Sequence, residues 1–560
     1  MAKKKTLAAL AVIALAGVLP ACSSTPSATR QQSAKPGRAI APLSGIEPNT
    51  YLNGTLSSKG GPFLTDRFGR IAVLHGVNAV YKHAPYTMTV EPGKPNTLDD
   101  AEARRISALG FNVVRLGVLW AGIEPGHGGP NQPSVCTPGS YQDPGMWSDS
   151  AAKAYLDQVS KVVDVLGRHH IYSLVDMHQD VWSSLFSGEG APDWATCTSG
   201  NPIVIYPGRW SNNYGNPAVD AAFGHLFNND VVGGLQQEYQ RSWSAVASRL
   251  GKSPWVVGYD PINEPLAVAT TTTKQRDYTA GLSCLYGGSG GAVEEIGTGK
   301  PLPCPAGTPA KGVVQAIQAA DPVHLVMPEV DNASDGRHTL FLGILNLPRI
   351  VYNFHDYCPQ RSGVTGNPTD LQACSDHELL AMVTREQQRV LYRSKQQPAG
   401  PAIMMTEFGA TSDAKLASYL VDDAQTVGLS WGWWSWRYYD DPTGSAAEGL
   451  YDGKGHYNPA VKPLTTTYPS AIAGTPLTAQ SSDLNGEFTL AYQPDPKISA
   501  PTTIVVSSRD YPIGYCAYVN GGKVTSKPGA HLMTVAANGT GNTVVVRIQP
   551  GKCINANATS

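Results

Sequence analysis

Eight short apolar runs, each ending in polar or aromatic residues, constrain the fold of this chain more than any other feature. The first ends at His75 to Asn78, and the next three are "FNVVRLGVLW" (111–120), "IYSLVDMHQD" (171–180) and "WVVGYDPINEP" (255–265). "HLVMPEV" (324–330), "IVYNFHDY" (350–357), "AIMMTEFGA" (402–410) and "LSWGWWSW" (429–436) complete the series. Near-continuous apolar strands belong to parallel sheets covered on both faces. Helical patterns separate them, for example around 97–109 and at 151–169, where Tyr155, Val162, Val163 and Leu166 recur at helical spacing. Eight strands alternating with helices predict an α/β fold, a (β/α)8 TIM barrel. Barrel chemistry is built at the C-terminal strand ends, where the polar residues of these runs cluster. Long Gly/Pro/Trp-rich insertions follow strands two, three, four and six, among them 121–150 and 183–230. They lie at the same face and are expected to wall a deep pocket.

The flanks read differently. "FLTDRFGRIAVLHGVN" is a hairpin feeding the first strand, and the barrel is expected to span 51–468. From about residue 470, short β-branched runs alternate with Asn-Gly turns at Asn520 and Asn538, which predicts a β-sandwich over 469–560. That segment has no cluster of acids or histidines, so support, or surface or ligand contact, is expected of it before chemistry. At the other end, Lys3-Lys4-Lys5 precede an apolar run from Leu7 to Leu19 and then Leu19-Pro20-Ala21-Cys22. A basic start, a short apolar core and small residues describe an export signal over 1–22. The run is short for a membrane span. The segment ending at Cys22 resembles a bacterial lipobox, with Pro20 unusual there, and 23–50 reads as a Ser/Thr/Pro-rich tether. The expectation is an exported chain, lipid-anchored at Cys22 on a membrane surface or secreted, and acting as a monomer.

Removing Cys22 from the nine cysteines leaves eight, at 136, 197, 284, 304, 358, 374, 516 and 553. An even set in an exported chain suggests disulfides, and pairing of sequential neighbours is expected. With 42 basic against 44 acidic residues there is no basic footprint for nucleic acid. No C-x-x-C or H-E-x-x-H occurs, so neither a metal nor another cofactor is expected. Gly287-Gly288-Ser289-Gly290-Gly291 matches G-x-S-x-G in form, but it lies in a long insertion without the strand–turn–helix setting of a nucleophile elbow.

Two carboxylates stand out. Glu264 ends the fourth run and Glu407 the seventh, and strands four and seven of an eight-stranded barrel face each other across the mouth. Cleavage of a glycosidic bond needs such a pair, one acid/base and one nucleophile or base, and a separation of about 5 Å implies retention. Asn263-Glu264-Pro265 and Glu407-Phe408-Gly409 resemble glycoside hydrolase family 5, in the retaining clan A barrels. "HGVNAVYKHAPY", "GFNVVRLGVLWAGIEP" and "DMHQDVWS" look specifically like endoglycoceramidases, and the resemblance runs from about 60 to 440.

It implies hydrolysis of the linkage between an oligosaccharide and ceramide, with a glycolipid as substrate, Glu264 as acid/base and Glu407 as nucleophile. By the same resemblance Asn263 bonds the sugar 2-OH, while Arg115 and Tyr357 hold Glu407. His178, Asp180 and His355 bind sugar hydroxyls, Lys82 contacts sugar, and Trp436 is the aromatic platform under the ring. Asp176 shares its strand face with His178 and competes as a sugar ligand. Trp431, Trp433 and Trp434 read as packing, and Asp331-Asn332 and Asp440-Asp441 as loop caps. Two other readings stay open: a secreted β-glucanase or cellulase of the same family, and a lipoprotein that binds glycolipid without turnover.

Overall fold

The computed structural model describes residues 56, 63–125, 148–208, 210–231, 234–265, 272–329, 343–357, 368–482, 486–551 and 553. The export signal, Cys22, the tether, Cys136, Cys358 and Asp331-Asn332 lie outside the described residues.

The eight apolar runs are eight parallel strands: β1 (His75–Ala79), β2 (Val113–Val118), β3 (Tyr172–Met177), β4 (Val256–Asp260), β5 (Leu325–Val326), β6 (Val351–Asp356), β7 (Ala402–Gly409) and β8 (Trp431–Trp434). They are hydrogen-bonded in the order β6-β7-β8-β1-β2-β3-β4-β5. Parallel bridges Val326–Ile350 and Glu329–Asn353 join β5 to β6 and close the barrel. Helices α1 (Asp100–Ala108), α2 (Asp149–Arg168), α3 (Leu235–Leu250), α4 (Val313–Ala320), α5 (Pro368–Gln388) and α6 (Ala414–Val427) lie between the strands. Between β5 and β6 the described residues contain a short strand, Ile344–Leu345, and no helix, so strict alternation fails at that one place. Sequence sets the helix ends: Asp99 accepts from the amides of Ala101 and Glu102, and Asp413 from those of Lys415 and Leu416. On α2 the residues at helical spacing, Tyr155, Leu156, Val159, Val162, Val163 and Leu166, are the buried ones.

Side chains of period two fill the barrel. Val113 of β2, Tyr172 and Leu174 of β3, Val257 of β4, Leu325, Val351 of β6, and Ala402 and Met404 of β7 form one apolar floor. Alternation carries the same inward face upward to Arg115, Asp176 and Asn353. On β4 and β7 the alternation is broken by register shifts at Ser173/Leu174 opposite β4 and at Phe354/His355 opposite β7. A bulge re-aims the residues beyond it. Counting from Ala402 and Met404, simple alternation would send Thr406 inward; the shift instead pairs Glu407 with His355. Gly409 follows at φ +89°, where a Cβ would lie 2.3 Å from the Trp433 ring, so the end of β7 can seat against β8 only as glycine.

The C-terminal strands are β9 (Tyr468–Ile472), β10 (Gly474–Ser481), β11 (Phe488–Pro494), β12 (Thr502–Val505), β13 (Tyr515–Asn520), β14 (Gly522–Val524), β15 (Leu532–Ala537) and β16 (Val544–Pro550). Two antiparallel sheets enclose a core that includes Ile472, Phe488, Leu490, Ile504, Met533, Val546 and Ile548, a β-sandwich. The hairpin before the barrel, Leu64–Thr65 with Ile71–Ala72, does more than feed β1. It pairs with β9 and supplies two strands of the six-stranded sheet. Arg70 fixes it there: the buried guanidinium pairs with Asp66 at 2.7 Å and donates to the Pro501 carbonyl at 2.6 Å. Cys284–Cys304 and Cys516–Cys553 are disulfides between sequential neighbours. Cys197 and Cys374 are disulfide-bonded as well. No helix among the described residues is long and apolar enough to cross a membrane.

Candidate active site

Above the apolar floor the inward residues become charged, and one cation organises them. Arg115 is buried in the middle of β2. Its Nη1 donates to Glu407 Oε2 at 2.9 Å and to Asn78 Oδ1 at 3.2 Å. Its Nη2 donates to Asp260 Oδ2 at 2.7 Å and to Asn263 Oδ1 at 2.8 Å, and lies 3.0 Å from Asp176. The other Glu407 oxygen, Oε1, accepts from the Tyr357 hydroxyl at 2.6 Å. Both oxygens are thus held by donors.

Glu264 has a different setting. It follows β4 in a turn that places it at φ +39°, a conformation side chains rarely adopt. Its amide donates to Glu329 Oε2 at 2.9 Å, and Gln179 Nε2 bonds the carbonyls of Asn263 and Glu264 at 2.8 and 3.0 Å. Asn263 Nδ2 returns a bond to the Gln179 carbonyl at 2.8 Å. The turn is therefore clamped from two sides, which is how a strained conformation persists. His355 Nδ1 lies 2.8 Å from Glu264 Oε1 and 3.6 Å from Glu407 Oε2. An oxygen of Glu264, one of Glu407 and a His355 nitrogen all fall within 4.8 Å of one another. Burial, reinforced by the charge of Asp180, pushes the Glu264 carboxyl up to about 7. Burial pulls the His355 imidazole down to about 3.

A second polar cluster lies alongside. Lys82 Nζ donates to Asp180 Oδ2 at 2.5 Å and to Thr443 Oγ1 at 2.8 Å, and it pairs with Glu189 at 3.3 Å. Burial alone would raise the Asp180 carboxyl, but the Lys82 charge and the charge and hydrogen bond of His178 together outweigh it and hold Asp180 below the usual carboxylate range. His178 Nδ1 bonds Asp176 at 2.7 Å. Burial disfavours its charge, but the Asp176 carboxylate wins and raises it to about 9. His178, Asp180 and Glu189 converge closely enough to hold a cation, and the Lys82 ammonium supplies the positive charge among them.

Lys82, Arg115, His178, Asp180, Asn263, Glu264, His355, Tyr357 and Glu407 are thus drawn into two adjoining networks. Trp436 is not part of either. It is fully buried, donates from Nε1 to Glu102 at 2.6 Å and stacks on Tyr451. The aromatic at the site is Trp434, read from sequence as packing. Its ring stacks on His178 at 5.4 Å and lies 4.5 Å from Lys82 Nζ. Asp176 is fully buried between Arg115 and His178 and contacts both. Asp441 is buried near Lys82, and burial pushes it up to about 6; it is no surface cap. Sequence reasoning also missed Asn78, Gln179, Glu189, Asp260, Glu329 and Thr443. Asp260 had no periodic signal, since it turns inward only beyond the β4 register shift, and Glu189 and Thr443 come from loops without periodicity.

Residues 83–440 match the family described as cellulase (glycosyl hydrolase family 5), which is more than half of the chain, and 467–549 match the glycoside hydrolase family 5 C-terminal domain. The chain belongs to glycoside hydrolase family 5. Among similar proteins, Endoglycoceramidase I of Rhodococcus hoagii (strain 103S) is 28% identical over 513 residues, covering 88% of each chain. Endoglycoceramidase of Cyanea nozakii is 26% identical over 496 residues, 83% of this chain and 85% of that one. Among solved structures, Endo-glycoceramidase II from Rhodococcus sp. bound to a five-membered iminocyclitol superposes with a TM-score of 0.65 at 25% identity, over 88% of this chain and 100% of the other. In family 5 terms the chain is a glycoside hydrolase whose barrel and sandwich are the two matched domains.

Proposed function

We propose that this enzyme is a retaining, endo-acting β-glycosidase that releases intact glycan from the ceramide of glycosphingolipids, with Glu407 as nucleophile and Glu264 as acid/base. The observation that carries the reading is the pair itself: carboxylate oxygens within 4.8 Å of each other, one carboxylate doubly held by donors and the other raised toward neutrality. That distance fits double displacement and leaves no room for the water an inverting pair encloses. The endoglycoceramidases among its relatives support the lipid-linked substrate.

Glu407 Oε2 or Oε1 attacks the anomeric carbon, and the bond to the ceramide oxygen breaks as Glu264 gives that oxygen its proton. Water then attacks the glycosyl–Glu407 ester, Glu264 takes the water's proton, and Glu407 is released as carboxylate. Asn263 is oriented by Arg115 and Gln179 to meet the sugar 2-OH. Lys82, His178, Asp180 and Trp434 bind the glycan. We further propose export and anchoring through Cys22, which rest on the basic, apolar and small-residue order of the first residues, and action as a monomer at a membrane surface.

The test uses a neutral and a sialylated glycosphingolipid in detergent micelles, with cello-oligosaccharides in parallel and products read by mass spectrometry. Intact glycan plus ceramide is the expected result. Shortened cello-oligosaccharides with untouched lipid would overturn the substrate and keep the chemistry. Binding of lipid without product would overturn both.

A pH profile follows from Glu264 as well. A general acid works only while protonated, so kcat/KM should fall about tenfold per pH unit once the pH passes roughly 7. A kcat/KM profile flat to pH 9 would contradict the assignment.

A further inference from the structure

Beneath the mouth, Asp176, Asp260, Glu329 and Glu407 crowd around one guanidinium. The acid/base chemistry above leaves Glu329 without a task. It follows β5, is 1% exposed, and its Oε2 accepts the Glu264 amide at 2.9 Å. The same oxygen lies 3.4 Å from His355 Nε2 and 3.7 Å from Arg115 Nη2.

The imidazole between Glu329 and the catalytic pair fixes where protons can be. His355 Nδ1 faces two carboxylate oxygens, Glu264 Oε1 at 2.8 Å and Glu407 Oε2 at 3.6 Å. An N–H there serves both oxygens, whereas a lone pair would face Glu407 Oε2 and would need the Glu264 proton on Oε1, turned away from the leaving oxygen. A neutral imidazole has one N–H, so Nε2 carries the lone pair. Nε2 is buried and lacks a hydrogen-bond partner among the described residues. Glu329 Oε2 lies 3.4 Å from it, and an ionised carboxylate against a lone pair is repulsive.

We propose that Glu329 is a positioning residue held as a neutral carboxylic acid, its proton lying between Oε2 and His355 Nε2. That proton locks the imidazole as the Nδ1–H tautomer, which bonds Glu264 Oε1 and leaves the transferable proton on Glu264 Oε2. One chain of contacts thus runs from the barrel interior to the atom that protonates the leaving oxygen. The groups facing this chain are Arg115 from β2, Asp176 from β3 with His178 just after it, Asp260 from β4, and Glu407 from β7. Burial, together with the charge of Asp260, raises Glu329 well above the ordinary carboxylate range, in the direction the geometry requires. The inference rests on Glu264 being the acid/base.

Two substitutions separate the possibilities. In Glu329→Gln an amide nitrogen in the place of Oε2 can still donate to Nε2, which keeps the tautomer, but it no longer accepts from the Glu264 N–H. The expected result is a loss in kcat/KM of no more than about tenfold, with the alkaline limb of the profile within about 0.3 pH unit of wild type. Glu329→Met can do neither. With lactosylceramide it should lose about 100-fold or more, and with 2,4-dinitrophenyl β-lactoside, whose leaving group needs no proton, the first chemical step should fall less than about fivefold. An alkaline limb moved down by about one unit or more in Glu329→Gln would overturn the proposal, since it would mean that a buried negative charge had been removed from beside Glu264. Equal losses on both substrates in Glu329→Met, or none on either, would overturn it too. Glu264→Gln run alongside tests the parent reading: full lactosylceramide turnover there would remove the acid/base assignment itself, whatever the Glu329 variants do.

Discussion

Glu407→Gln is expected to lower turnover by about 10⁴-fold or more, equivalent to about 5 kcal/mol of lost transition-state stabilisation. The amide keeps the shape of the side chain between Arg115 Nη1 and Tyr357 but cannot attack the anomeric carbon. Arg115 retains Asp176 and Asp260 as anionic partners, so the barrel should fold as before, which circular dichroism can check. The decisive readout is covalent. A 2-fluoro-glycoside with a good leaving group should add one glycosyl mass to the wild type and none to the variant. Labelling of the variant, or wild-type turnover by it, would remove Glu407 from the nucleophile's role.

The second large effect is selective. Glu264→Ala should cost about 10³-fold on a glycosphingolipid, within the range assigned to general acid catalysis. The primary alcohol of ceramide is a poor leaving group without a proton. A dinitrophenyl glycoside should instead still load the enzyme and then stall, because no base activates the water. Azide needs no base, so it should restore turnover and give a β-glycosyl azide, the product of two inversions. Equal losses on both substrates, with no response to azide, would mean that Glu264 acts through structure rather than proton transfer.

Much of this architecture was legible in the chain. The eight strands lie where apolar runs end in polar residues, because a barrel strand must be apolar below and chemically useful only at its end. Arg115 and Asp176 could be placed inward by period two. Period two could not give depth, and so it did not separate Asp176, sealed behind Arg115, from Asp180, paired to Lys82 at the pocket. Nor does period two survive a bulge: it is the register shift opposite Phe354/His355 that lets Glu407 face the pocket. The tryptophans failed for a related reason. β8 stops at Trp434, and beyond it Trp436 turns to Tyr451 and Glu102, so counting onward from the strand picks the wrong ring. Glu189 and Thr443 arrive from loops, and the pairing of Ile71–Ala72 with β9 joins segments almost 400 residues apart. Local sequence carries no record of such partners.

That last pairing decides how the molecule can be held. The hairpin and β9 lie at the end of the barrel where the parallel strands begin, and the reacting carboxylates stand where they finish. The described chain from Phe63 therefore starts at the base of the enzyme, beside the last domain. The hairpin, β9 and the sandwich thus form one footing for the enzyme, and the catalytic opening faces away from it.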